Sequence, residues 1–335
     1  MKAAIVRDFM PFDQITVEDI PEPVPSEGEA VVAVEASEVN FPDILLIEGR
    51  YQRKPQLPFT LGFGCVGRVI ALGPMADGMV TRGDRVLVLP DYGTHAERVV
   101  VPASLCMPVP DEVPSEIATA LGLVYQTAYF SLRIRAKVKP GDTVLVLGAS
   151  GGVGMAAIQL ARAFGAGKII ATSRGEDGVA FARSLGSDVV IDAKMADLRN
   201  GLPAAVKGAT NGRGADIVVD PVGGTLAAAA IRAVAWNGSY VVVGFASGEI
   251  PSFNAGYLLV KNISVSGLQW TDYRSREPGV AFAAQHEIFD LWSKGMLSPH
   301  IDRTLPLAEI AEALRAIGSG KTRGKVILEI GRPEK

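Results

Sequence analysis

Cysteine and histidine are scarce in this chain: two cysteines, Cys65 and Cys106, and three histidines in 335 residues. Two thiols exclude a disulfide framework and a four-cysteine zinc lobe, and they point to a reducing, cytoplasmic setting. Charge of one sign is lacking too. With 33 Lys and Arg against 36 Asp and Glu, the net charge is −3, which leaves no basic footprint for nucleic acid or an anionic membrane. Long unbroken apolar runs are missing. The uncharged stretch 143–161 is interrupted by Gly148, Gly151, Gly152 and Gly154, so it does not read as a spanning helix. The opening MKAAIVRDF has no apolar segment of leader length, and no secretory signal is expected. What is present is apolar material, 48% of residues against 21% charged, enough to bury a core rather than stay disordered. The length suits about two domains.

The first third reads as short strands. Apolar or alternating runs at 30–34, 65–71, 85–89 and 98–101 are separated by turn signals such as Pro25-Ser26-Glu27-Gly28 and Arg82-Gly83-Asp84, a rhythm that predicts a barrel-like unit. From about residue 125 strand-like and helical runs alternate, as a parallel sheet with crossover helices requires. Strands are expected at 143–147, 169–171, 189–191, 217–219, 240–243 and 263–265. Leu307, Ile310, Ala311 and Leu314 predict an amphipathic helix in the tail, followed by a last strand over 324–330.

The strongest chemical signal is TVLVLGASGGVGMAAIQLARAFGA, residues 143–166. A buried strand runs into a glycine-rich turn and then a helix. Ala149, Gly151 and Gly154 fall on the three glycine positions of a dinucleotide-binding turn, with Gly152 and Val153 between them. The middle glycine admits a pyrophosphate, the last lets helix and strand pack closely, and the helix start offers unpaired N–H groups to the phosphates. The next strand ends in Ala171-Thr172-Ser173-Arg174, where an NAD enzyme would carry an acid for the ribose hydroxyls. Ser173 and Arg174 suit a 2′-phosphate instead. NADPH is therefore the expected cofactor. Glu176 and Asp177 read as acids opening the following helix.

These parts, in this order, resemble the medium-chain dehydrogenase/reductase superfamily and, within it, the zinc-free quinone oxidoreductase (zeta-crystallin-like) branch. The resemblance spans nearly the whole chain. It rests on Val39-Asn40-Phe41-Pro42-Asp43, Glu48-Gly49-Arg50-Tyr51, Gly62–Gly67, Gly83-Asp84-Arg85-Val86, Gln126-Thr127-Ala128-Tyr129, Gly148–Gly154, Asp220-Pro221-Val222-Gly223-Gly224, Gly244-Phe245-Ala246-Ser247-Gly248 and Lys321-Thr322-Arg323-Gly324-Lys325. It implies an α/β protein: a GroES-like β-barrel catalytic domain over 1–124, a Rossmann doubly wound parallel-sheet cofactor domain over 125–267, and a return to the catalytic domain over 268–335. It also implies a homodimer joined through an edge strand, here 262–267.

Metal-dependent members of the superfamily hold zinc with Cys, His and Cys, and the corresponding positions here are Asn40, Phe63 and Leu123. None is a good zinc ligand, and no metal site is expected. Cys65 and His95 lack a third companion and read as a core thiol and a surface imidazole. Phe63-Gly64 stands where relatives more usually carry Gly-Glu or Thr-Glu. Without zinc an alkoxide has no strong Lewis acid. The expected small-molecule substrates are quinones or C=C bonds conjugated to a carbonyl, enoyl thioesters included.

The resemblance makes Tyr51 the candidate proton donor or enolate stabiliser; the alternative is an aromatic that only lines the pocket. Asn40 looks like the family asparagine that touches the nicotinamide ribose. Thr127, Gly244, Phe245 and Leu268 match positions around the nicotinamide. Many relatives clamp the 2′-phosphate with Lys and Tyr at the positions of Gly178 and Ala193. Their loss leaves Arg174, helped by Lys321 or Arg323. Two other functions stay open on sequence alone, a crystallin-like or regulatory NADPH-binding protein with little turnover and a zinc-free alcohol dehydrogenase.

Overall fold

The computed structural model describes residues 1–76 and 78–331. The chain divides into two compact units, Met1–Leu123 with Pro299–Lys335, and Val124–Ser298.

The first unit is built on one long strand, Glu29–Val39, whose Val and Ala residues are nearly all buried. It pairs antiparallel with Cys65–Leu72, Arg98–Pro102 and Lys325–Glu329. With the strand Arg85–Val88, which pairs with Cys65–Leu72, they close on Val32, Val34, Val69, Val86, Val88, Val99 and Val101, with both cysteines in the same cluster. Burying each such valine contributes roughly 1.5–3 kcal/mol. Burial raises both thiols, Cys106 to about 12 and Cys65 well above its ordinary range, so they remain protonated packing groups. One short helix, Phe41–Ile47, follows the long strand directly. The tail helix forms as Ile310–Gly318, entered through a 3-10 turn at Leu307–Glu309.

The second unit contains a six-stranded parallel sheet in the order Val189–Asp192, Lys168–Ser173, Thr143–Val146, Ala215–Asp220, Val234–Val242, Ser264–Gly267. In chain order that is 3-2-1-4-5-6, the doubly wound arrangement, with its switch point between the first and fourth strands. Val144, Leu145, Val146 and Leu147 are fully buried, as a central strand covered on both faces must be. No helix among the described residues is long and apolar enough to cross a membrane.

The return to the first unit comes at residue 299, whereas the family pattern predicted 268. Residues 268–298 stay with the second unit because the helix Pro278–Ser293 buries Ala281, Ala284, Ile288, Phe289 and Leu291. The Gln126 amide also donates to Ala281 O (2.9 Å) and Gln285 Oε1 (3.1 Å). Gln159 makes a two-way clasp with the Ser298 backbone, both bonds 2.8 Å. These amide bonds hold the segment, and their long separations in sequence hide them from a pattern reading.

Candidate active site

In the second unit the predicted cofactor residues gather at the carboxyl ends of the parallel strands, where open α/β sheets bind ligands. Gly148 follows the strand Thr143–Val146 with φ 65° and so carries the tight turn itself. The residue expected at the first glycine position, Ala149, is buried, and its N–H bonds Thr172 O at 2.9 Å. Gly151 caps the helix Gly152–Ala163. A Cβ on Gly151 would meet only Gly148 O, at 3.6 Å. The protein does not itself require glycine there, and the openness fits a close-lying pyrophosphate. Gly154 differs: a Cβ would overlap the Gly148 carbonyl and stand 2.7 Å from Ala149 Cα. Gly244, Phe245 and Leu268 lie at the ends of neighbouring strands, with Gly244 N–H on Asp220 O (3.3 Å) and Leu268 N–H on Val242 O (2.9 Å). Thr127 is buried in its helix, its carbonyl accepting Ser131 Oγ–H at 2.8 Å.

Ser173 ends the second strand, 2% exposed, and its hydroxyl has no partner. A buried hydroxyl left unbonded costs free energy unless a ligand or water completes it. Arg174 is exposed, caps the helix Gly175–Ser184, and its guanidinium makes no hydrogen bond or ion pair among the described residues. Glu176 and Asp177 occupy the first turn of that helix, as expected. Beside them sits a cation the sequence did not single out. Lys194 Nζ lies 3.6 Å from where a Cβ on Gly175 would stand. The Asp192 carboxylate accepts the N–H of both Gly175 (3.1 Å) and Lys194 (2.9 Å), and those bonds hold its carboxyl below the ordinary range. A buried hydroxyl, an exposed arginine and an ammonium thus stand at or beside the start of one helix, and a donor set of this kind fits a phosphate monoester. Arg323 belongs to the first unit, where its guanidinium bonds its own turn at Lys321 O (2.7 Å) and Thr322 O (3.2 Å).

Asp220 ends the fourth strand, at the switch point. Its Oδ1 accepts the N–H of Val222 and Gly223, both at 2.8 Å, and its Oδ2 accepts Tyr240 Oη–H at 2.7 Å. Burial nevertheless pushes its carboxyl up. This pair shapes the Asp220–Gly224 turn next to the cofactor cradle.

In the first unit a single short helix positions two candidates. Asn40 is its N-cap, and its backbone N–H donates to Asp43 Oδ2 at 2.7 Å. At the other end Gly49, with φ 66°, reverses the chain. Leu45 O then accepts both Arg50 N–H (2.7 Å) and Tyr51 N–H (3.1 Å). Tyr51 packs edge-on against Phe63, ring centroids 5.5 Å apart.

Two of the three positions that carry zinc ligands in metal-dependent relatives, Asn40 and Leu123, meet another pair. Leu123 N–H donates to Glu38 Oε1 at 3.0 Å. Lys325 Nζ lies 2.6 Å from Glu38 Oε2 and 2.5 Å from Asn40 Oδ1. Glu38 and Lys325 are both buried. A Cβ on Gly64 would stand 2.7 Å from Glu38 Oε1, so the Glu38 carboxylate fills space that the side chain of the usual glutamate would need. An amide already bonded to an ammonium, a phenyl ring and an isobutyl group do not fit a zinc ion. Among the described residues no three His, Cys, Asp or Glu side chains gather as a metal site. His95 is buried rather than at the surface: its Nδ1 meets Ser37 Oγ at 2.9 Å and its Nε2 lies 3.5 Å from Asp43 Oδ1. Polar neighbours inside the barrel account for it.

Comparison with known proteins agrees with this architecture. Residues 26–111 match the alcohol dehydrogenase GroES-like domain, and residues 152–285 match the family model described as zinc-binding dehydrogenase. The chain belongs to the medium-chain dehydrogenase/reductase superfamily, among relatives of the quinone oxidoreductase-like type. It is 37% identical over 300 residues to quinone oxidoreductase-like protein 2 homolog of Nematostella vectensis, covering 89% of this chain and 80% of that one. It is 30% identical to mouse prostaglandin reductase-3, covering 94% and 85%. A mycobacterial protein solved in complex with NADPH superposes with a TM-score of 0.91 at 32% identity, over 98% of this chain and all (100%) of that one.

Proposed function

We propose that this chain is an NADPH-dependent oxidoreductase that reduces quinones or C=C bonds conjugated to a carbonyl, enoyl thioesters included, without zinc. The observation that carries the reading is Lys325 bonded to Asn40 Oδ1 at 2.5 Å, a cation on the side chain that stands at a metal-ligand position in related enzymes. The quinone oxidoreductase-like and prostaglandin reductase relatives support the same class of acceptor.

NADPH, when bound, supplies hydride to an electron-poor carbon. The Gly148–Gly154 turn and the start of its helix hold the pyrophosphate. Ser173, Arg174 and Lys194 hold the 2′-phosphate. Asn40 donates an amide N–H to the nicotinamide ribose; Thr127, Gly244, Phe245 and Leu268 line the nicotinamide. Tyr51 donates its phenol hydrogen to the substrate oxygen as negative charge builds there and passes on the proton. The test is oxidation of NADPH against a panel of quinones, enones and enoyl-CoA esters, run with and without a chelator. Turnover of at least one member at the same rate under both conditions is expected.

A second copy completes the assembly in this reading. The sheet ends on Ser264–Gly267, bonded on one side only, to Val234–Val242. Leu259 and Val260, on the helix leading to that strand, are 80% and 78% exposed, and Trp236 is 70% exposed. An apolar edge of this kind invites strand pairing, and a two-fold partner covers it symmetrically.

A further inference from the structure

The buried ion pair between Lys325 and Glu38 does more than neutralise two charges. An ammonium carries hydrogen-bond donors only. Its 2.5 Å contact with Asn40 can therefore be made only by the amide oxygen, which settles the orientation of a group whose O and N are otherwise hard to tell apart. The Asn40 NH₂ is consistent with this, donating to Glu38 O at 3.3 Å. That bond uses one of its two hydrogens, and the second has no protein acceptor among the described residues. Asn40 can thus present a ligand with an N–H donor, while the ammonium occupies its oxygen. The ammonium on its oxygen also polarises the amide and strengthens that donor.

Lys325 is held in place from several directions. Glu38 Oε2 lies 2.6 Å from Nζ, and Glu38 is itself fixed by Leu123 N–H on Oε1. Strand pairing sets the two backbones side by side, with Val326 opposite Val39 and Ile327 opposite Glu38, and Lys325 N–H bonds His300 O at 2.9 Å. Lys325 is 2% exposed, so its charge is not there for solubility. Replacing a buried ion pair by uncharged groups is often neutral for stability, which leaves room for a functional reason to keep it.

We propose that Lys325, pinned by Glu38, is a positioning residue that turns the Asn40 amide so that its N–H faces a ribose hydroxyl of NADPH. The inference rests on the reading that Asn40 contacts the nicotinamide ribose, and the test separates the two.

NADPH affinity is measured by titration calorimetry, together with thermal unfolding, on the wild type and three variants. Asn40→Asp keeps an oxygen for the ammonium but has no N–H. The pair Glu38→Gln/Lys325→Met removes both charges while a glutamine oxygen still serves Leu123. The third variant combines Asn40→Ala with that pair. The expected result is a loss of affinity of about tenfold for Asn40→Asp and a similar loss for the pair, since each removes one oriented hydrogen bond. The combined variant is expected to lose no more than either, because Lys325 acts through Asn40. If Asn40→Asp binds NADPH like the wild type, the ribose contact is wrong. If Asn40→Asp weakens binding but the pair does not, or if the losses multiply in the combined variant, the role assigned to Lys325 is overturned. Should the pair fail to fold, Glu38→Gln alone loosens Lys325; a loss of several-fold is then expected, and unchanged affinity overturns the proposal.

Discussion

Lys194 and Gly175 share one carboxylate. Asp192 Oδ1 takes the backbone N–H of each, at 2.9 and 3.1 Å, and this holds the lysine against the start of the helix that Arg174 caps. The consequence concerns cofactor choice. Arg174→Ala and Lys194→Ala should each weaken NADPH binding about ten- to a hundredfold, the worth of one charge-assisted bond. NADH, lacking the 2′-phosphate, should bind nearly as before. Fluorescence titration with both cofactors measures this, and equal losses for the two would remove both residues from the phosphate clamp.

Tyr51 is tested by removing one oxygen. Tyr51→Phe keeps the ring against Phe63 but loses the donor that strengthens as the substrate oxygen becomes negative. Turnover of an enone or enoyl thioester should fall about 10²–10³-fold, with NADPH affinity unchanged. A quinone should suffer less, since water can protonate its reduced oxygens. Full turnover on every accepted substrate would leave Tyr51 as a pocket wall.

What the sequence made legible was local. The strand, the glycine turn and the helix over 143–163 lie within one continuous stretch, and their backbone demands appear as residue types. Asn40 and Tyr51 sit at the two ends of one short helix, so their spacing was visible as well. Lys194 was not, because its approach to Gly175 depends on Asp192 and on the pairing of two parallel strands. Lys325 lies 285 residues from Asn40, and only the barrel's closure brings them together. The return at residue 299 is hidden for the same reason, since the amides of Gln126 and Gln159 hold 268–298 across long separations.

The pair Asp220–Tyr240 makes a prediction about pH. Burial raises the Asp220 carboxyl above its ordinary value of 3.8, so the folded protein holds that proton more tightly than the unfolded chain. The contribution of Asp220 to stability is then fully present below that ordinary value and lost as pH rises through the raised one. Asp220→Asn removes this dependence while keeping an oxygen for Val222 and Gly223. Unfolding in urea from pH 4 to pH 7 should show the variant gaining on the wild type as pH rises. A variant that loses ground to the wild type as pH rises would contradict the assignment.

At the sheet edge, the pair Leu259→Asp/Val260→Asp places two charges on exposed positions of the helix Ala255–Lys261. Light scattering should report a dimer for the wild type and a monomer for the variant, with thermal stability otherwise little changed, since neither side chain is part of the core. A wild-type monomer at micromolar concentration would contradict the proposed pairing.

The central claim is metal-free hydride transfer from NADPH, and isotope transfer tests it most directly. The protein is first dialysed against a chelator and checked for zinc by elemental analysis. It is then given NADPH deuterated at the transferred position of C4, together with whichever enone or enoyl thioester it accepts. The account predicts undiminished turnover, less than a stoichiometric trace of zinc, and deuterium on the β-carbon of the product. Loss of turnover on chelation with recovery on adding zinc, or a product without deuterium at that carbon, would contradict it.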